Sequence, residues 1–276
     1  TTVFQMSEEM FFLHYGKDGC NRHVLIDECR ELFGEIYEQI PELPFCNIWT
    51  AMQLSSRLPK GALFHMGVSN TRRCWNMFQL PESVESACNV GCCGIDGCVS
   101  TLVGASLVNP DRLCYVVVGD LTFFYDLNSL GNHHIGTNLR VMLVNNGRGT
   151  EFRLGIHHCN VFGDDADKYM AAAGHFGNKS PLLVKHYAED LGFHYLSATT
   201  KEEFMTALSN FTNPQLSDHS MILEVFTDSK DESEALYLMS HIQSDAKGMV
   251  RSKLKDAVRN VAGEKGINAI KKILKK

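Results

Sequence analysis

Two polar dipeptides near the middle of the chain carry side chains that could bind a metal ion. Gly119-Asp120 and Asn145-Asn146 each follow directly after a run of apolar residues. Asp120 offers a carboxylate and Asn146 an amide oxygen, and Mg2+ prefers oxygen ligands of this kind. The spacing alone leaves a second interpretation open, in which Asp120 caps a helix and the asparagines form a turn, because short motifs also occur by chance.

The sequence around these dipeptides predicts the elements that position them. The apolar runs 115–118 and 139–144 are typical of buried strands, and residues 122–132 carry apolar side chains at helical spacing. Strand, helix and strand in this order form a right-handed βαβ unit, so both polar ends meet at the carboxyl edge of a parallel sheet. Open α/β sheets bind ligands at that edge. A helix beginning near Thr122 would direct free N–H groups, which favour anions, to the same place.

Three motifs in this region resemble those of thiamine diphosphate (ThDP) enzymes. Gly119-Asp120-Leu121, followed by Asn145-Asn146, is similar to the signature that binds the diphosphate of the cofactor. The string GDLTFFYDLNSL is similar to one branch of these enzymes. That branch is the menaquinone-pathway synthases of 2-succinyl-5-enolpyruvyl-6-hydroxy-3-cyclohexene-1-carboxylate (SEPHCHC synthases). The patterns G-I-D-G-x-x-S-T at 94–101 and G-x-S-x-x-x-R at 67–73 are similar to two further motifs of that branch.

The resemblance implies a fold and a cofactor site. The expected fold is α/β, with three α/β/α layers and a mostly parallel sheet, as in the C-terminal diphosphate-binding domain of ThDP enzymes. Mg2+ would be held by the side chains of Asp120 and Asn146 and by the backbone carbonyl of Arg148. The residues expected to contact ThDP are Ser69, Gly94, Ile95, Gly119, Asp120, Leu121, Thr122, Asn146 and Arg148.

The resemblance also implies which residues act on the substrate. Ile95 would be the apolar wedge that bends ThDP into its reactive V shape, and Arg73 would be the second catalytic residue. Arg73 would grip a substrate carboxylate with its planar guanidinium group, and Arg72 is the alternative. Phe152 would form an apolar wall of the site. Val90 stands where this branch carries a substrate-binding arginine, so we expect that the donor or acceptor is still an acid but that the branch's reaction with isochorismate is weak or absent.

Outside the motifs the sequence predicts three regions. These are a helical and linker segment at 1–43, the diphosphate-binding domain at 44–246 and a basic helical tail at 247–276. Apolar spacing predicts helices at 23–40, 48–58, 97–107, 122–132, 169–176, 182–191, 201–211 and 228–247, and strands at 62–66, 115–118, 139–144, 193–197 and 221–227. Asp96 is expected to cap the helix at 97–107.

Composition limits the class of protein. A chain of 276 residues that is 44% hydrophobic can bury a full core, and it has no apolar run of the ~20 residues that a transmembrane helix needs. Ten cysteines without a secretory signal predict reduced thiols in the cytoplasm. The cluster Cys88, Cys92, Cys93 and Cys98 fits no common zinc spacing, so we expect these side chains in the core.

The charge is unevenly distributed, with a net charge of −6 over the chain but ten Lys or Arg against two acids in the tail. Such a segment could lie on an anionic membrane. We instead expect it to pack on the acidic body or on a partner subunit, because no aromatic residue would anchor it in a membrane. Nothing in the sequence indicates binding to nucleic acid.

The function expected from the resemblance is decarboxylation of a 2-oxo acid followed by carboligation, the work of a transferase or lyase. An acetolactate synthase-like or other ThDP decarboxylase is one alternative, and a phosphate- or nucleotide-binding α/β module without ThDP is another. The expected partners are a small-molecule 2-oxo acid and further copies of the chain in a homo-oligomer. We also expect a separate pyrimidine-binding domain, without which this chain would be inactive.

Overall fold

Six parallel strands form the sheet of the computed structural model, which describes residues 5–16, 24–91, 93–154, 157–169 and 175–242. The strands are β1 (Leu63–Met66), β2 (Glu85–Cys88), β3 (Cys114–Gly119), β4 (Leu139–Asn145), β5 (His194–Ala198) and β6 (Met221–Phe226). Their order in the sheet is β2-β1-β3-β4-β6-β5. Every neighbouring pair is parallel, which confirms the predicted α/β fold.

The chain divides into two compact units, Thr1–Ile40 and Pro41–Lys276. The first unit contains α1 (Glu8–Tyr15) and α2 (Val24–Glu38). The Ser7 side chain caps α1 by accepting a hydrogen bond from the backbone N–H of Met10 at 3.3 Å. The apolar spacing predicted α2, whereas the mixed composition of the first residues gave no signal for α1.

The second unit holds the sheet and the remaining helices. These are α3 (Asn47–Leu54), α4 (Asn70–Trp75), α5 (Cys98–Leu107), α6 (Asp120–Asp126), α7 (Ala166–Tyr169), α8 (Leu183–Asp190), α9 (Lys201–Phe211) and α10 (Ser229–Met239). No helix among the described residues is long and apolar enough to cross a membrane.

Helices cover both faces of the sheet, so the three-layer architecture is confirmed. Successive side chains of a strand point to opposite faces. Val116 and Val118 of β3 pack in one core cluster with residues of α5 and α8. Tyr115 points to the other face, where its ring lies 5.5 Å from that of Phe211 in α9. On that face Phe64 of β1 also packs against Trp75 of α4, with ring centroids 5.1 Å apart.

The strand order creates a switch point between β1 and β3. From β1 the chain continues to β2, its neighbour towards one edge of the sheet. From β3 it continues to β4, its neighbour towards the other edge. Ligands of open α/β sheets bind where such connections diverge, outside the carboxyl ends of the strands. Gly67 follows β1 at this point, and its N–H donates to the carbonyl of Val117 at 2.7 Å. The segments after β1, β3 and β4 therefore lie next to one another.

Several boundaries differ from the sequence predictions. Helix α6 begins at Asp120 rather than near Thr122, and after Asp126 it continues only as a 3-10 turn, Leu127–Gly131. The short polar strand β2 and helix α4 were missed. Of the predicted helix 169–176, residue 169 ends α7, residues 170–174 lie outside the described residues, and Phe176 lies in a bend. The basic tail also lies outside the described residues.

The predicted cap on α5 was wrong. Asp96 is exposed, and the N-cap position belongs to Gly97, whose φ of 86° is in the left-handed region that favours glycine. Asp126 supplies the missing acceptor, because its Oδ2 accepts from the N–H of Ser100 at 2.7 Å and from its hydroxyl at 3.0 Å. The acid that caps this helix is thus distant in sequence, which no local motif reveals.

Candidate functional site

A cleft of about 410 Å³ opens at the carboxyl ends of β1, β3 and β4. Eight residues singled out from the sequence line it, namely Ser69, Ile95, Gly119, Asp120, Leu121, Thr122, Asn146 and Arg148. Its other lining residues are Asn47, Val68, Asn70, Thr71, Cys93, Val144, Gly149, Thr150, Glu151 and His157. The structure thus brings most of the predicted site together, while Gly94 and Arg73 do not line the cleft.

Asp120 lies at the centre of this site and is only 3% exposed. Its Oδ1 accepts from the N–H of Leu121 at 2.6 Å, which satisfies a free donor in the first turn of α6. Its Oδ2 accepts from the N–H groups of Asn146, Gly147 and Arg148 at 3.1, 2.6 and 3.1 Å. One carboxylate therefore fixes the segment after β4 against the end of β3.

Gly147 makes that segment possible. Its φ of 77° lies in the left-handed region, where glycine is favoured over other residues. A Cβ added there would collide with the side chain of Asn178. Gly147 therefore allows the turn that presents its own N–H, and those of its neighbours, to the carboxylate of Asp120.

The oxygen atoms in this part of the cleft fit Mg2+ better than a softer metal ion. The carboxylate of Asp120 and the amide oxygen of Asn146 are hard ligands, and Arg148 contributes a backbone carbonyl in the same segment. No group of three His, Cys, Asp or Glu side chains that could hold a metal ion occurs in the described part of the chain.

Asn145, the last residue of β4, ties the segment that follows it to the neighbouring strand. Its Nδ2 donates to Oε1 of Glu224 in β6 at 2.7 Å, and the hydroxyl of Tyr195 in β5 donates to Oε2 at 2.7 Å. Glu224 is 1% exposed, and this burial raises the pKa of its carboxyl group. The hydrogen bonds connect three neighbouring strands directly beneath Asn146.

His175 is a neighbour of Asp120 that the sequence analysis missed. Its Nε2 is buried and lies 3.1 Å from Oδ2 of Asp120, although the contact does not have hydrogen-bond geometry. Its Nδ1 accepts from the N–H of Gly177 at 2.8 Å, so Nε2 carries the proton in the neutral ring. The ring centroid lies 5.5 Å from that of Phe124. Only tertiary structure connects this histidine with the strand ends.

Ser69 has an uncommon backbone conformation at the end of β1. Its φ of 59° and ψ of −121° are unfavourable for a residue with a side chain. Its carbonyl accepts from the N–H of Arg73 at 3.1 Å, which holds it at the start of α4. Strained residues of this kind are concentrated at functional sites. Ile95, the predicted wedge, lines the same cleft and is half-buried.

Arg73 does not present its guanidinium group to the cleft. It forms two parallel hydrogen bonds with Glu151, from Nη1 to Oε2 at 2.8 Å and from Nη2 to Oε1 at 3.0 Å. Glu151 raises the pKa of Arg73 through this contact. Glu151 lines the cleft, and Arg72, the alternative to Arg73, is exposed. The sequence analysis did not identify Glu151.

Two further predictions concern Phe152 and the cysteine cluster. Phe152 lies in the short 3-10 turn Thr150–Arg153, and its side chain is outside what the structure describes. In the cysteine cluster, Cys98 is buried, as expected, and Cys88 is half-buried, whereas Cys93 is exposed; Cys92 lies outside the described residues. The expectation that these cysteines share a core position is therefore wrong for Cys93.

Curated relatives identify the class to which the fold and the site belong, although no family model matches the chain. The comparisons place the chain among the thiamine diphosphate-dependent enzymes. Its relatives within that class are 2-succinyl-5-enolpyruvyl-6-hydroxy-3-cyclohexene-1-carboxylate synthases, which confirms the resemblance found from the motifs.

Three of these relatives show the extent of the match. The synthase of Bacteroides fragilis is 34% identical over 196 residues, which are 71% of this chain and 34% of that protein. The Phocaeicola vulgatus synthase is 34% identical over 200 residues, 71% of this chain and 34% of that protein. The Christiangramia forsetii synthase is 33% identical over 199 residues, which are 72% of this chain and 33% of that protein. The chain spans about a third of the length of the curated relatives it matches.

Proposed function

We propose that the cleft binds the diphosphate of ThDP together with Mg2+, as one domain of a 2-oxo acid decarboxylase and carboligase. The observation that carries the proposal is the position of Asp120. Its carboxylate lies at the switch point of a parallel sheet and contacts the segment that carries Asn146 and Arg148. Strand ends at such a point are where α/β sheets bind phosphorylated ligands.

The residues of the chain would then have distinct tasks. Asp120, Asn146 and the carbonyl of Arg148 would hold Mg2+, which in turn binds diphosphate oxygens. Ile95 and Ser69 would support the organic part of the cofactor. The bound cofactor supplies the carbanion chemistry, while the protein supplies binding and orientation.

The substrates of the whole protein are also a proposal, supported by its relatives. We propose a 2-oxo acid donor, because the motifs resemble those of enzymes that decarboxylate 2-oxo acids and the relatives are named as synthases of a product with a succinyl group on a cyclohexene ring. Val90, which replaces an arginine expected from the resemblance, is exposed and does not line the cleft. Because the arginine expected from the resemblance is missing at this position, we propose that the acceptor differs from that of the relatives. We also propose that catalysis requires a pyrimidine-binding domain in a homo-oligomer.

Calorimetric titration of ThDP, with and without Mg2+, tests the cofactor proposal. The unmodified chain should bind ThDP only when Mg2+ is present, and Asp120→Ala should abolish that binding. Asp190→Ala is the matched control, because Asp190 is exposed at the end of α8 and does not line the cleft. Circular dichroism should show both variants folded. Absence of binding by the unmodified chain, or full affinity in Asp120→Ala, would remove the proposal.

A further inference from the structure

The ion pair between Arg73 and Glu151 changes what the cleft can recognise. An arginine binds a carboxylate through two parallel N–H···O bonds, and Arg73 already makes both of them to Glu151. The two side chains are 32% and 23% exposed, so they are partly shielded from water. A carboxylate from a ligand would have to break both bonds and then lie beside the displaced negative charge of Glu151.

The neighbouring residue provides a second observation. Thr150 is 5% exposed and lines the cleft, yet its Oγ1 has no hydrogen-bond partner within the described structure. A buried hydroxyl without a partner is costly, and a ligand that supplies one would relieve that cost. The oxygens of Glu151 each have further acceptor capacity beyond the bond to Arg73. The end of the cleft formed by Thr150 and Glu151 thus offers a hydroxyl group and carboxylate oxygens that can accept hydrogen bonds.

We propose that Glu151 is a specificity-determining residue that withholds Arg73 from acids and selects a neutral, hydroxyl-bearing compound at this end of the cleft. The proposal rests on the proposed function, because the compound would be the acceptor of the ThDP reaction and the 2-oxo acid its donor. It differs from the expectation that Arg73 holds a substrate carboxylate, because here the carboxylate belongs to the chain itself.

Binding of succinate, a simple dicarboxylate, tests the proposal without ThDP. Calorimetry should show that Glu151→Gln binds succinate about tenfold more tightly than the unmodified chain, because the variant keeps the shape of the side chain and removes its charge. The Arg73→Gln and Glu151→Gln double variant should lose this gain. Glu85→Gln is the matched control, since it disrupts another glutamate–arginine pair, with Arg112 at 2.9 Å, and should leave succinate binding unchanged.

The other outcomes are equally decisive. Equal succinate affinity in the unmodified chain and in Glu151→Gln, or a gain that persists in the double variant, overturns the proposal. A neutral polyol such as xylitol should bind the unmodified chain at least as well as Glu151→Gln, and the reverse order also counts against it. Glu151→Ala replaces Glu151→Gln if the latter fails to fold. A succinate gain in a chain that binds no ThDP would support this inference and reject the cofactor proposal.

Discussion

The carboxylate of Asp120 accepts a 2.6 Å hydrogen bond from the backbone N–H of Gly147, and this contact joins the ends of two neighbouring strands. Asp120 begins the helix that follows β3, whereas Gly147 lies in the turn that follows β4. The adjacent N–H groups of Asn146 and Arg148 donate to the same oxygen. The geometry of the proposed metal site therefore depends on the conformation of one glycine.

Gly147→Ala should weaken Mg2+-dependent ThDP binding. The substitution places a Cβ at a φ of 77° and against the side chain of Asn178, so the turn is strained and either it or that side chain must shift. Gly192→Ala is the control, because its φ of 82° carries the same strain but the added Cβ meets open space. Both should lower the free energy of unfolding by about 1–2 kcal/mol. Equal ThDP affinity in the two variants would contradict the prediction.

Glu224→Ala should destabilise the protein and loosen the segment of Asn146. The change removes the 2.7 Å acceptor of Asn145 Nδ2, which keeps only a 3.5 Å bond to the carbonyl of Gly177, and it removes the carboxylate acceptor of Tyr195. Each buried group left unpaired costs about 1–3 kcal/mol. Tyr195→Phe is the comparison, because it removes one hydrogen bond and keeps the contact with Asn145. In urea denaturation Glu224→Ala should lose more stability, and it alone should reduce ThDP affinity.

The strands at the centre of the sheet could be predicted from sequence because their burial on both faces leaves a pattern in consecutive residues. β3 and β4 are buried at nearly every position, so they appear as apolar runs. β2 could not be predicted because its residues are mostly exposed at the edge of the sheet. Asp120 and Asn146 could be singled out for the same local reason, since each lies in a polar dipeptide that directly follows an apolar run.

The parts of the site that the sequence analysis missed depend on distant contacts. Arg73 and Glu151 are separated by 78 positions, and no pattern in either segment indicates that they pair. His175 comes after β4 in the chain, and it approaches Asp120, which follows β3, only in the folded protein. A resemblance assigns roles to single residues, but it does not show that a carboxylate of the same chain occupies the arginine.

Ser69→Gly should raise stability and lower ThDP affinity. Glycine relieves the unfavourable φ of 59° and ψ of −121°, a strain of about 1–3 kcal/mol, part of which is offset by the greater freedom of the unfolded chain. The hydroxyl proposed to lie near the cofactor is lost. Ser69→Ala separates the two effects, because it loses the hydroxyl and keeps the strain. If Ser69→Gly is no more stable than Ser69→Ala in urea denaturation, the strain is not real.

The last prediction concerns Glu232, a buried acid of α10 that makes stability depend on pH. Its Oε1 accepts from the N–H of Asn47 at 2.9 Å and from the hydroxyl of Thr227 at 2.8 Å, while its buried Oε2 has no partner in the described structure. Burial, the largest cause, raises the pKa of Glu232 from 4.5 to about 7. Between these values the folded protein binds a proton that the unfolded chain has released.

The contribution of Glu232 to stability should therefore be greatest below pH 4.5 and should fall as the pH rises towards 7. The full shift corresponds to about 3 kcal/mol of unfolding free energy. Urea denaturation at several pH values should show this decline in the unmodified chain and a flatter profile in Glu232→Gln. Glu234→Gln, two residues further along the same helix, is the control and should retain the slope. A slope that survives in Glu232→Gln would mean that another group carries the linkage, with Glu224, whose pKa is also raised by burial, as the next to substitute.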